Sequence, residues 1–246
     1  MSFEFRMPSL EQMRATSDGL KMLRISEDDS FYSALITGCP GSGKTTVSLY
    51  RFYRLHNQGV DVRLITYQNL LVLAIRNSLS SLVDNPVREP KISTFHKWYC
   101  PVANSDFDTD NPPTTEQMIS LLDRSKIPRT QDGEIIIDEG QDLPICVHQV
   151  LPLYFKRCFV GADNGQRVHK NGATADDIRD TLQARFEPCC YFELGANFRN
   201  TYETYRFARQ FISRTNLVAW DERILARLQR ENRRGPKPLV IAYSDL

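Results

Sequence analysis

Residues 33–45 read SALITGCPGSGKT: a short apolar run, Ser33 to Thr37, followed at once by Gly38, Cys39, Pro40, Gly41, Ser42, Gly43, Lys44 and Thr45. Helical periodicity begins at Gly43, so the order is strand, glycine-rich turn, lysine, hydroxyl, helix, which is the phosphate-loop pattern. Glycines let consecutive backbone N–H groups curl around phosphate oxygens, and the helix N-terminus behind them adds a positive dipole end. Lys44 then neutralises the β and γ phosphates, and the Thr45 hydroxyl ligates magnesium. Gly38 to Thr46 is therefore the expected nucleotide cradle, with a nucleoside triphosphate and Mg2+ as its expected occupants.

Outward from this stretch, short apolar runs alternate with amphipathic ones. Val62 to Thr66, Lys91 to Thr94, Glu134 to Ile137, Arg157 to Val160 and Tyr191 to Leu194 read as further buried strands. Between them, Gly43 to His56, Asn69 to Leu82, Thr115 to Leu122 and Leu143 to Phe155 carry apolar residues at helical spacing. That alternation implies an α/β fold, a parallel sheet with helices on both faces. Asn104 to Pro113 is rich in Asp, Asn and Pro and reads as a loop, so residues 98–132 are expected to be a short insertion. After Leu194 come two helical stretches, Thr201 to Arg214 and Trp220 to Arg230, and a lone strand, Leu239 to Ala242. A single strand cannot complete a sheet, so a second unit is expected to open there.

The run Ile135, Ile136, Ile137 ends in Asp138, Glu139, Gly140, Gln141, Asp142. Ligands of open α/β sheets sit outside the carboxyl ends of the strands, where Asp138 would meet the magnesium and Glu139 would deprotonate an attacking water. An acidic turn capping the helix that begins near Leu143 is the structural alternative.

With 31 basic against 30 acidic side chains and a net charge of +1 over 246 residues, no strong field draws the chain toward nucleic acid or membrane. The longest apolar runs fall far short of the roughly 20 residues that a spanning helix needs. The N-terminus lacks the basic and then apolar segments of a secretory signal, so no membrane partner and a cytoplasmic location are expected. Six cysteines without ligand spacing, and four scattered histidines, make neither a disulfide scaffold nor a zinc site.

An ordered series of further motifs resembles the superfamily 1 helicases of the UvrD/Rep type. Leu10, Glu11, Gln12 is similar to the glutamine motif, which makes Gln12 the adenine reader. Thr66, Tyr67, Gln68, Asn69 and Ser93, Thr94, Phe95, His96 are similar to the motifs that face single-stranded DNA. The implied DNA contacts are Thr66, Tyr67, Asn69, Thr94, Phe95 and His96, through hydroxyls, amides and stacking rings, although ordinary aromatic packing also accounts for Tyr67 and Phe95. Asp138, Glu139, Gln141 and Asp142 match the second motif. Gly161 to Gln166 resembles the third, making Gln166 the γ-phosphate sensor, and Leu194 to Arg199 resembles the fourth, making Arg199 an arginine finger.

The resemblance covers about Leu10 to Arg199 and implies a RecA-like phosphate-loop NTPase: residues 1–195 a first ATP-binding domain, 196–246 linker helices and the truncated start of a second. The implied activity is ATP hydrolysis by Lys44, Glu139, Gln166 and Arg199, coupled to movement on single-stranded DNA, with the rest of the second motor domain as a partner within the same protein. Three departures matter. Thr46 stands where the family often has an arginine, Arg167 to Asn171 stand where it carries stacking aromatic residues, and no later arginine-bearing motif follows Arg199. The missing aromatic residues, together with the shortness of the insertion between Phe95 and Glu134, favour a second expectation, a non-unwinding ATPase switch answering to a protein partner. The basic cluster Arg223 to Lys237 reads as a solvated helix face.

Overall fold

The computed structural model describes residues 8–80, 89–125, 130–163, 165, 169–211 and 220–239. Its centre is a six-stranded, all-parallel sheet. The strands are β1 (Ser33–Gly38), β2 (Val62–Thr66), β3 (Ile92–Thr94), β4 (Thr130–Ile137), β5 (Phe155–Ala162) and β6 (Cys189–Leu194), in spatial order β3-β2-β4-β5-β1-β6. All six overlap the apolar runs read from sequence; β4 and β5 start earlier and β6 takes in Cys189 and Cys190.

Alternation along each strand feeds two cores. Leu35, Ile135, Ile137, Val160 and Ala162 point to one face, where α5 (Phe95–Ala103), α6 (Thr115–Arg124), α7 (Ile145–Tyr154) and α8 (Ala175–Arg185) cover them. Ala34, Ile36, Leu64, Ile136 and Phe159 point to the other, covered by α1 (Leu10–Arg14), α2 (Ser17–Glu27), α3 (Lys44–Asn57) and α4 (Asn69–Ser80). A sheet buried on both sides needs strands apolar at every position, which is why the Ile135 to Ile137 triplet is wholly buried. The arrangement is α/β with helices on both faces.

Within the span read as an insertion, Trp98, Tyr99, Ala103, Phe107, Met118 and Leu122 enter the first core. One departure from the sequence reading has a local cause. Helix α8 has no counterpart in the periodicity, because only Ala175, Ile178 and Leu182 are buried in it; a capping box of Thr174 with Asp177 starts it instead. Toward the C-terminus, α9 (Tyr202–Ala208) and α10 (Trp220–Arg230) form a small third core with Cys39 of the glycine-rich loop, and Arg227 pairs with Asp18 of α2. Residues 240–242, most of the expected last strand, lie outside the described residues.

The second core also holds a charge pair. Arg51 on α3 reaches Glu134 on β4 with two hydrogen bonds, 2.5 and 2.9 Å, both side chains almost wholly buried. Its guanidinium lies 4.8 and 5.1 Å from the ring centroids of Phe31 and Phe159 and donates to the Asp28 carbonyl at 2.7 Å. With so many partners the pair is fully satisfied, and it locks the helix that carries Lys44 to the strand that leads into Asp138.

The chain order places the site. From β1 the chain crosses to β2 on one side, and from β5 it crosses over β1 to reach β6 on the other. The strand order therefore reverses about β1, and the carboxyl ends of β1, β4 and β5 share one edge.

Candidate functional site

The loop after β1 turns through two left-handed glycines, Gly41 at φ +81° and Gly43 at φ +101°. At Gly41 a Cβ would come within 2.7 Å of the Arg199 Cβ, so only glycine lets the segment after β6 lie against the loop. Phe198 N donates to the Gly41 carbonyl at 2.8 Å, and the buried Asn197 donates through Nδ2 to the Pro40 carbonyl at 2.9 Å. α3 starts at Lys44, directly behind the turn, so its N-terminus faces the loop.

Lys44 is buried, and its Nζ donates to the carbonyls of Gly38 (2.7 Å) and Cys39 (3.3 Å) and lies 3.4 Å from Asp163 Oδ2. Asp163 follows β5 and is buried. Burial pushes its carboxyl up and the Lys44 charge pulls it back. Asp138 follows β4 and is 1% exposed, with no hydrogen-bond partner on Oδ2 among the described residues. Burial and then the Glu139 charge push its carboxyl up to about 7, against the Thr45 hydroxyl, the Lys44 charge and the Ser48 hydroxyl.

Glu139 is a non-glycine residue in the left-handed region, φ +56°. Such a conformation costs of order 1–3 kcal/mol and persists where its surroundings over-determine it. Here Gln141 Nε2 donates to Glu139 Oε2 at 2.7 Å while Gln141 Oε1 accepts from Asp163 N at 3.0 Å. His148 on α7 donates from Nε2 to the Gly140 carbonyl, 2.9 Å away. Burial lowers the His148 imidazole to about 4, so the ring is neutral at pH 7, and a neutral ring that donates from Nε2 carries no proton on Nδ1. One side chain thus links the carboxylate after β4 to the backbone after β5, and a second pins the turn between them.

The donors fit a hard divalent cation. The Thr45 hydroxyl stands beside the Asp138 carboxyl, whose unpaired Oδ2 is an acceptor in need of a partner, and two protein ligands leave room for phosphate and water oxygens. No cluster of three or more His, Cys, Asp or Glu suited to a metal occurs among the described residues.

The other residues singled out from sequence are placed unevenly. Arg199 is exposed at the loop tip, beside Gly41. Ser42 is buried against Gly38, and Thr46 is buried in α3. Gln12 lies on the exposed side of α1, where its Oε1 accepts from Ser9 N at 2.8 Å as part of a helix cap. Gln166 lies outside the described residues.

The expected DNA face needs correction at Phe95. Its ring is wholly buried, stacked on Tyr99 at 5.2 Å and edge-on to Phe107 at 4.8 Å, because Thr94 caps α5 immediately and turns Phe95 inward; it presents no face to a base. Thr66 and Thr94 are also buried and offer no surface hydroxyl. Tyr67 and His96 are half-buried, with the His169 ring 4.3 Å from Tyr67, and Asn69 is exposed.

Asp163, Asn197, His148 and Arg233 build the site, although the sequence alone assigns none of them a role. For Asp163 and Asn197 a signal existed, since both stand just past the ends of strands. Phe198, exposed by 42%, lies 4.0 Å from where a Gly43 Cβ would be and puts an aromatic ring at the mouth of the loop.

No family model matches this sequence, and no curated protein matches it. Among solved structures, one that is similar is Drosophila ORC bound to DNA, at 14% identity and a TM-score of 0.30, covering 76% of this chain and 43% of that one. The chain thus spans less than half the length of that neighbour. No described helix is long and apolar enough to cross a membrane.

Proposed function

We propose that this chain is an ATP-hydrolysing motor domain of the UvrD/Rep type, RecA-like in fold, whose turnover is coupled to single-stranded DNA. The observation that supports it is the convergence of one ammonium, Lys44, with the carboxyls of Asp138, Glu139 and Asp163 at the edge where the strand order reverses.

Lys44 now spends its donors on loop carbonyls and a carboxylate, partners that a triphosphate replaces with stronger ones. Thr45 and Asp138 would hold magnesium, which supplies charge neutralisation at the phosphate oxygens. Glu139, held by Gln141, takes the proton of the attacking water. Arg199, whose backbone lies against Gly41, would supply a guanidinium to the charge developing on the terminal phosphate. Phe198 offers an aromatic face to the base. Tyr67, His96 and Asn69 are the remaining candidates for DNA contact, since Phe95 is withdrawn into the core. The burial of Phe95, and the packing of α9 and α10 on Cys39, favour a second reading, an ATPase switch addressed through that helical pair by a protein partner.

Binding of a fluorescent ATP analogue and steady-state ATPase, with and without single-stranded DNA, test the proposal. Lys44→Ala should abolish nucleotide binding or turnover. Glu139→Gln should still bind and lose about 10²–10⁴-fold in hydrolysis, the contribution of a positioned base. Hydrolysis at the wild-type rate by Glu139→Gln removes the assigned base, and turnover indifferent to DNA moves the balance to the switch.

A further inference from the structure

We infer that Arg233 is a positioning residue for the nucleotide cradle, tying the C-terminal segment to the shape of the glycine-rich loop. The inference rests on the proposed nucleotide site for its function, though not for its geometry. Arg233 follows α10, half-buried, and its guanidinium forks onto two consecutive carbonyls: Nη1 donates to Asn197 O, and Nη2 to Phe198 O at 2.7 Å. Those two residues grip the loop. Asn197 Nδ2 holds the Pro40 carbonyl at 2.9 Å and Phe198 N holds the Gly41 carbonyl at 2.8 Å. Asn197 Oδ1 meanwhile accepts from Arg199 N at 3.1 Å and Asn200 N at 2.9 Å, so the segment after β6 is a rigid turn.

The peptide plane explains why this matters for anion binding. In a trans peptide the carbonyl of one residue and the N–H of the next point in opposite directions. Anchoring Pro40 O to Asn197 therefore fixes the direction of the Gly41 N–H, and an anion nest works only when such amides are held in a set direction. Glycine has the most conformational freedom to lose, so Gly41 and Gly43 are the residues least able to hold that direction unaided.

Arg233 is itself held from both sides. Its N–H donates to Leu228 O at 3.0 Å, closing α10, and its carbonyl accepts from Tyr202 N at 2.8 Å, opening α9. Two residues on, Gly235 N donates to Glu203 Oε2 at 2.8 Å. Displacing the α9 and α10 pair thus withdraws the guanidinium, and with it the anchor on the loop.

The test reads the loop directly. Amide hydrogen exchange of residues 38–43 is followed in the ligand-free protein for wild type, Arg233→Ala and Arg233→Lys. Affinity for Mg2+–ADP and the split between KM and kcat are measured alongside. Arg233→Ala should exchange the loop amides about tenfold faster, with β4 unchanged, and bind nucleotide about tenfold more weakly at near-constant kcat, the low end of what losing charge-assisted hydrogen bonds costs, since both bonds act on the loop only through Asn197 and Phe198. Free guanidinium ion should restore much of the affinity, while Arg233→Lys, which cannot span two carbonyls, should fall between. Loop exchange unchanged in Arg233→Ala, or raised equally in β4, overturns the inference. If Arg233→Ala fails to fold, the same two readings are taken from Arg233→Lys and decide in the same way. Wild type that binds no nucleotide sinks the proposed function instead, and the exchange measurement still decides this clamp.

Discussion

Replacing Asp138 by Asn is expected to stabilise the ligand-free protein at alkaline pH while destroying its proposed magnesium site. Burial, and then the Glu139 charge, push the carboxyl up to about 7 from an ordinary 3.8. A raised carboxyl means that the folded state holds its proton over a pH range in which the unfolded chain has already lost it. Stability is then highest at low pH and declines as pH rises from about 3.8 to about 7. A difference of that size puts the cost of the buried carboxylate on the order of 4 kcal/mol at pH 8 and under half of that at pH 5. Asn is isosteric and carries no charge, so Asp138→Asn should recover most of that cost. For a chain of this size, the gain in Tm should be on the order of 10 °C at pH 8. Urea and thermal denaturation in EDTA at pH 5 and pH 8 measure it. A variant no more stable than wild type at pH 8, or equally stabilised at both pH values, refutes the reasoning. Binding sites held under such electrostatic strain commonly trade stability for activity.

His148 should act in the opposite sense over the acid range. Burial pushes its imidazole down to about 4 from an ordinary 6.5, so the unfolded chain takes up the proton first and stability falls by on the order of 3 kcal/mol as pH drops through that window. His148→Gln, which keeps a donor for Gly140, should flatten that part of the stability profile in urea melts. Phe95→Ala should cost about 3–5 kcal/mol of stability with DNA affinity per folded molecule unchanged, as a core ring and not a stacking ring would. Calorimetry and DNA titration of the same sample separate the two roles. Arg51→Ala should cost about 3–5 kcal/mol by stranding Glu134, whereas Arg51→Met combined with Glu134→Leu should come close to wild type in denaturant titration.

Much of this was legible in the chain. The strand before Gly38 and the triplet before Asp138 are buried on both faces, and such strands announce themselves as unbroken apolar runs. The glycine-rich loop is equally local, since its shape depends on residues adjacent in sequence. Phe95 misleads because an aromatic residue at a strand end reads alike whether the chain continues outward or turns at once into a helix; only the Thr94 cap decides, and it does so three residues on. Arg233 was hidden in a basic cluster because its partners lie 35 and 36 residues earlier, and no local pattern encodes a guanidinium meeting two backbone carbonyls. Helix α8 escaped for a third reason, its thin apolar stripe. What stays hidden is therefore tertiary: sequence speaks where burial acts on neighbours and falls silent where distant segments meet.

The loop is also written early and finished late. A ribosome adding about 5–20 residues per second needs roughly 10–40 s to pass from Lys44 to Arg233. Early in that interval the nascent glycines have β1 before them and α3 after them, and until residues 163 and 197 are made they have neither the Asp163 carboxylate nor the Asn197 turn to lean on. A nascent chain that has passed Lys44 but not yet Arg233 should therefore hold nucleotide more weakly than the folded protein, and the small apolar core around Cys39 closes only once α10 has emerged.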